Sequence, residues 1–114
     1  MILVRIIMSA LPEKQKELMQ TLLSMIDTAV KDRGCLSYEV LCDIDGKTVF
    51  NMIEEWNTRE DLDNHIRSER FSVLLGTKSL LVKSLEMKIH TISHTEGVEV
   101  VNALRGKGTP KKNF

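Results

Sequence analysis

The chain has 114 residues, 42% of them hydrophobic and 28% charged. That is the make-up of one folded domain with its own core, and it excludes disorder, collagen-like repeats and a membrane-embedded chain. Its 16 Lys and Arg offset 16 Asp and Glu, so no net field draws nucleic acid or anionic lipid, although 105–114 carries 4 basic residues and no acidic one.

The opening run MILVRIIM is too short for a secretory h-region with a cleavage site, and Pro12 and charges follow at once. It predicts a strand over 2–8 in a cytoplasmic protein. Only Arg5 breaks the branched apolar residues, so the strand is expected to be covered on both faces. Pro12 suits a helix start, and Glu13 and Glu17 suit its positive end. Leu18, Met19, Leu22, Leu23, Met25, Ile26, Ala29 and Val30 then recur at helical steps until Gly34.

The stretch 35–43 alternates, with Leu36, Tyr38, Val40 and Cys42 expected on one face, and Asp45-Gly46 supplies residues for a tight hairpin. Cys35 and Cys42, seven positions apart on this strand, are expected on opposite faces about 23 Å apart, too far to bond. The returning strand places Phe50, Met52, Glu54 and Trp56 on one face and Val49, Asn51, Ile53 and Glu55 on the other. Thr58 and Asp61 form a capping-box-like pair opening a helix whose Leu62, His65 and Ile66 share a side. Ser68 and Glu69 restart a second short helix with Phe71, Val73, Leu74 and Leu75, so two short helices or one bent helix fit, and 85–93 alternates as a half-exposed fourth strand.

The order strand, helix, strand, strand, helix, strand predicts an α+β, ferredoxin-like split βαβ domain over 1–94, an antiparallel sheet with helices on one face. Apolar residues on both sheet faces predict a homodimer through the open face. The remainder, 95–114, reads as a C-terminal extension: a short strand over 98–104, then a basic flexible tail.

Signatures for nucleotide, flavin, acyl transfer and metal are missing from the sequence, and His90 and His94 stand about 13 Å apart on a strand, too far to share one ion. No metal is expected. His65 is the one imidazole expected on the core side of a helix, where a pKa of about 6.5 lets it exchange protons near neutrality. Beside Leu62 and Ile66 it reads first as a satisfied core residue. Trp56 and Phe71 also read first as core and secondarily as walls for a flat ligand, while Glu54 would be a buried carboxylate in need of a partner.

GCLSYEV at 34–40 and MIEEWNTREDLDNHIRSERF at 52–71 resemble the antibiotic biosynthesis monooxygenase family of dimeric α/β barrels, including its quinol monooxygenase-like members. The resemblance covers residues 1 to about 93. It implies a pocket between sheet and helices in which a small electron-rich aromatic is oxidised by dioxygen without flavin, metal or haem. His65 would accept a proton, and Trp56, Phe71, Glu54, Leu62 and Met52 would line the substrate. Quinone-forming members carry Asn four residues before the Trp and Tyr six after it, positions held here by Met52 and Leu62. Asn51 is one position off and faces the other side of the sheet. Haem-degrading relatives need an axial His where this chain has Leu74, Leu75 and Gly76, which excludes haem degradation. The same fold also carries two other readings, a non-catalytic metabolite-binding or stress-response dimer and a cofactor-independent isomerase.

Overall fold

The computed structural model describes residues 1–106. Strand β1 (Ile2–Ser9) leads through a 3-10 turn at Pro12–Lys14 into helix α1 (Gln15–Ala29). Strands β2 (Cys35–Cys42) and β3 (Val49–Trp56) follow, then helices α2 (Arg59–Arg67) and α3 (Glu69–Leu75), strand β4 (Glu86–Thr91) and helix α4 (Glu99–Arg105). The sheet order is β2-β3-β1-β4 with every neighbouring pair antiparallel. This is the expected α+β, ferredoxin-like arrangement.

Alternation decides which side of the sheet meets the helices. Ile2, Val4, Ile6 and Met8 of β1 and Phe50, Met52, Glu54 and Trp56 of β3 are all buried. They pack in one core with Leu18, Leu22, Met25 and Ala29 of α1, Leu62 of α2, and Phe71 and Leu74 of α3. The opposite face carries Leu3, Ile7, Val49 and Ile53, each half-buried, between the polar residues Arg5 and Asn51, which hydrogen-bond at 3.0 Å. Among the described residues no helix is long and apolar enough to cross a membrane.

Four local expectations change. The β2 to β3 connection is a longer loop over 43–48, organised by the Asp43 carboxylate, which accepts from the backbone N–H of Gly46 and of Val49, both at 2.9 Å. A two-residue hairpin would leave that side chain nothing to cap. A register shift between Cys35 and Ser37 turns Leu36 outward, 55% exposed, instead of onto the face of Tyr38. The same shift sets Cys35 opposite Trp56 and Cys42 opposite Phe50, so the two cysteines share a face, and both are free thiols. Finally, the strand expected over 98–104 is helix α4. The four-stranded sheet forms without this segment, and a helix closes its own backbone hydrogen bonds with no strand beside it. The basic tail lies, beyond Gly106, outside the described residues.

Candidate active site

The chemistry-bearing residues converge where the C-terminal end of β3 meets α2 and the start of α3. Thr58 caps α2 by accepting from the Asp61 N–H at 3.1 Å, which sets the helix rotation and turns Leu62 and His65 inward. Ser68 ends α2 and caps α3: its hydroxyl donates to the His65 carbonyl at 2.6 Å and its side chain accepts from the Phe71 N–H. One residue thus fixes both His65 and Phe71.

His65 is enclosed by three aromatic rings, those of Trp56 at 4.6 Å, Phe71 at 5.6 Å edge-on and Tyr38 at 6.1 Å edge-on, centroid to centroid. The His65 side chain is buried, 1% exposed. Its Nδ1 lies 3.0 Å from Asp32 Oδ2, and Asp32 is also ion-paired with Arg70 Nη2. A carboxylate only accepts, so Nδ1 carries the proton in this hydrogen bond. Nε2 is then a lone pair, 4.0 Å from Glu54 Oε1 and without a hydrogen-bond partner.

Glu54 is fully buried and receives the Trp56 indole N–H on Oε1 at 2.9 Å. Burial pushes its carboxyl above the usual range, opposed by the Trp56 hydrogen bond and by the nearby His65 and Tyr38. Burial pushes the His65 imidazole the other way, below its ordinary value, opposed by the Glu54 charge. Tyr38, opposite Glu54 across the β2/β3 ladder, has its phenol pushed strongly upward by burial and then by Glu54. All three groups are therefore shifted toward neutral forms. Three buried polar atoms here make no hydrogen bond of good geometry, Tyr38 Oη, Glu54 Oε2 and His65 Nε2, although the Tyr38 phenol and the Glu54 carboxyl face each other closely enough to shift one another. Such atoms cost on the order of 1–3 kcal/mol each unless something partners them.

Of the residues expected to form the site, Glu54, Trp56, His65 and Phe71 come together around the imidazole. Met52 and Leu62 are buried in the same core. An open cavity of about 180 Å³ borders His65, but it is lined by Asp32, Arg33, Asp61, Asn64, Ser68 and Arg70 and by none of the expected wall residues. Three participants escape the sequence reading. Tyr38 has the correct face parity, but nothing in the sequence links it to Glu54. Asp32 and Arg70 read as ordinary loop and helix charges, and only the tertiary fold brings Asp32 across 33 positions to His65.

The family model described as antibiotic biosynthesis monooxygenase matches residues 1–74. A conserved protein from Methanosarcina mazei Go1 is 32% identical, covering 78% of this chain and 89% of that one, with a TM-score of 0.73. A Deinococcus radiodurans protein provisionally named an antibiotic biosynthesis monooxygenase is 21% identical over 85% of this chain and 97% of its own, with a TM-score of 0.79. Rv0793 from Mycobacterium tuberculosis is 21% identical over 84% and 98%, with a TM-score of 0.77. The last two likenesses speak for the fold alone, and none of the curated proteins matches. With a family model matching most of its length and these folds superposing on its own, the chain belongs to the antibiotic biosynthesis monooxygenase family.

Proposed function

We propose that the protein is a monooxygenase that oxidises a small, electron-rich, quinol-like aromatic with dioxygen, without flavin, metal or haem. The observation that carries this reading is the unpartnered trio, His65 Nε2, Glu54 Oε2 and Tyr38 Oη, inside an aromatic enclosure. A substrate hydroxyl supplies what these atoms lack. It donates to Nε2, which takes its proton, and the resulting phenolate is electron-rich enough to reduce dioxygen directly. For a quinol the balance closes with four substrate electrons. One oxygen atom enters the ring, the other leaves as water, and a hydroxyquinone is formed. Trp56 and Phe71 provide flat apolar contact, with Met52 and Leu62 behind them. Burial in this enclosure disfavours a charged ligand group left without a partner, so a neutral phenol is preferred to its carboxylated analogue.

The working unit is proposed to be a homodimer joined through the sheet face of Leu3, Ile7, Val49 and Ile53, and two free thiols fit a cytoplasmic setting. A second reading, a non-catalytic metabolite-binding dimer, is favoured by one observation: His65, Glu54 and Trp56 are buried, and the cavity beside His65 is not lined by Glu54, Trp56 or Phe71.

Oxygen uptake by the purified protein, with quinols and anthrone-like aromatics each corrected for autoxidation, separates the two. In the oxidation reading uptake is protein-dependent and saturable, and His65→Ala lowers the rate by roughly 10²- to 10⁴-fold while an apolar ligand still binds. Binding without uptake, unchanged in His65→Ala, leaves the second reading standing.

A further inference from the structure

A base at Nε2 is useful only while the imidazole proton stays on Nδ1, and a neutral imidazole in water has no strong reason to keep it there. In this enclosure two carboxylates compete for that proton. Glu54 lies on the Nε2 side with Oε1 at 4.0 Å. Asp32 lies on the Nδ1 side with Oδ2 at 3.0 Å. Were the proton to move to Nε2, it would face Glu54 and the lone pair would be lost from the site.

We infer that Asp32, braced by Arg70, is a positioning residue that holds the His65 proton on Nδ1 and so keeps Nε2 a bare acceptor. The inference rests on the reading of His65 as the base. Asp32 is built for the task. Its backbone N–H donates to the Ala29 carbonyl at 3.0 Å and its carbonyl accepts from Cys35 N–H at 3.1 Å, so the residue is pinned on both sides of the α1–β2 turn. Its Oδ1 engages Arg70 Nη2 while Oδ2 engages His65, so each oxygen has one partner and the carboxylate cannot rotate without losing both. Arg70 comes from α3, immediately before Phe71, and thus couples the orientation of the base to the helix that carries one wall. The charged and titratable groups facing the imidazole are Asp32 from the turn, Tyr38 from β2 and Glu54 from β3, with Arg70 of α3 acting through Asp32.

The test reads the proton directly by nitrogen-15 NMR of labelled histidine, with His65 assigned by difference against His65→Ala among the three histidines. At neutral pH the expected signal is the Nδ1–H tautomer. Asp32→Asn keeps the shape but removes the charge that favours the proton on that side, and is expected to shift the tautomer ratio toward Nε2–H by roughly 10- to 100-fold. Asp32→Glu is expected to restore part of the original ratio. Arg70→Gln, at a half-exposed position, is expected to give an intermediate shift and serves if Asp32→Asn does not fold. A wild-type protein holding Nε2–H, or a folded Asp32→Asn with the wild-type ratio, overturns the inference. Oxygen uptake is followed in parallel. A tautomer shift with no quinol oxidised by wild type discards the oxidation reading and leaves the positioning role intact, whereas oxidation with an unmoved tautomer does the reverse.

Discussion

Glu54 and His65 titrate against each other, and the signs are opposite. The Glu54 carboxyl is raised in the fold from an ordinary 4.5, so its contribution to stability is complete below that value and is lost as pH rises through the folded value. The His65 imidazole is lowered from 6.5, so its contribution is complete above that value and is lost as pH falls through the folded value. Because the two slopes are opposite in sign, each masks the other wherever their titrations overlap. Glu54→Gln keeps an acceptor for the Trp56 indole but removes the ionisation. The variant is expected to be more stable than wild type by about 1 kcal/mol at pH 8, the direction found when buried charges are replaced by neutral groups. The advantage should shrink as pH falls toward 4.5, where the wild-type carboxyl is itself neutral. Thermal melts at both pH values check this, and an advantage that grows on acidification contradicts it.

At the scale of elements, the site depends on how the α1–β2 turn presses on α2. Gly34 has φ +83°, and a Cβ placed there would overlap the Asp61 side chain, which also receives the Thr58 hydroxyl at 2.9 Å. The Gly34 carbonyl accepts from the Asn57 N–H at 2.8 Å, tying the turn to the end of β3. Gly34→Ala meets both an unfavourable backbone region and a clash, and is expected to cost about 1–3 kcal/mol. Because the same turn carries Asp32, the variant should also loosen the His65 hydrogen bond, seen as a mixed tautomer in the folded fraction. A melting temperature equal to wild type contradicts the first part.

The same turn explains what the sequence could and could not reveal. Helical spacing along α1, alternation along β3 and the Thr58 and Ser68 caps are local patterns, so the elements and their inward faces were legible. The grouping of Glu54, Trp56, His65 and Phe71 followed from those faces. The Asp32 to His65 contact did not, since it depends on where a turn lands after the chain has crossed the sheet. The turn after β2 and helix α4 were misjudged for a related reason. Asp43 capping its own loop, and a sheet that forms from four strands without Glu99–Arg105, are facts of the folded chain that a propensity for extended Val residues does not contain.

On the whole molecule, the helices cover one face of the sheet and leave the other with a mixed surface whose centre is Ile53, flanked across the ladders by Arg5 and Glu39. Leu3 and Ile7 of β1 and Val49 of β3 extend the apolar part around that polar pair. A two-fold axis through this face would stack the apolar residues of two copies and let Arg5 of each meet carboxylates such as Glu39 or Glu55, satisfying charge without burying it unpaired. Ile53→Glu puts an acid beside Glu39 at the centre of the proposed contact, yet its side chain points away from the helical core, so the monomer fold should survive. The wild-type protein is expected to sediment as a dimer at micromolar concentration and the variant as a folded monomer with unchanged far-ultraviolet circular dichroism. If both sediment as monomers, the open face is not a dimer contact. If the variant is monomeric and still oxidises quinols at the wild-type rate, each subunit's enclosure of Tyr38, Trp56, His65 and Phe71 is complete on its own, and the second copy serves only to cover the sheet.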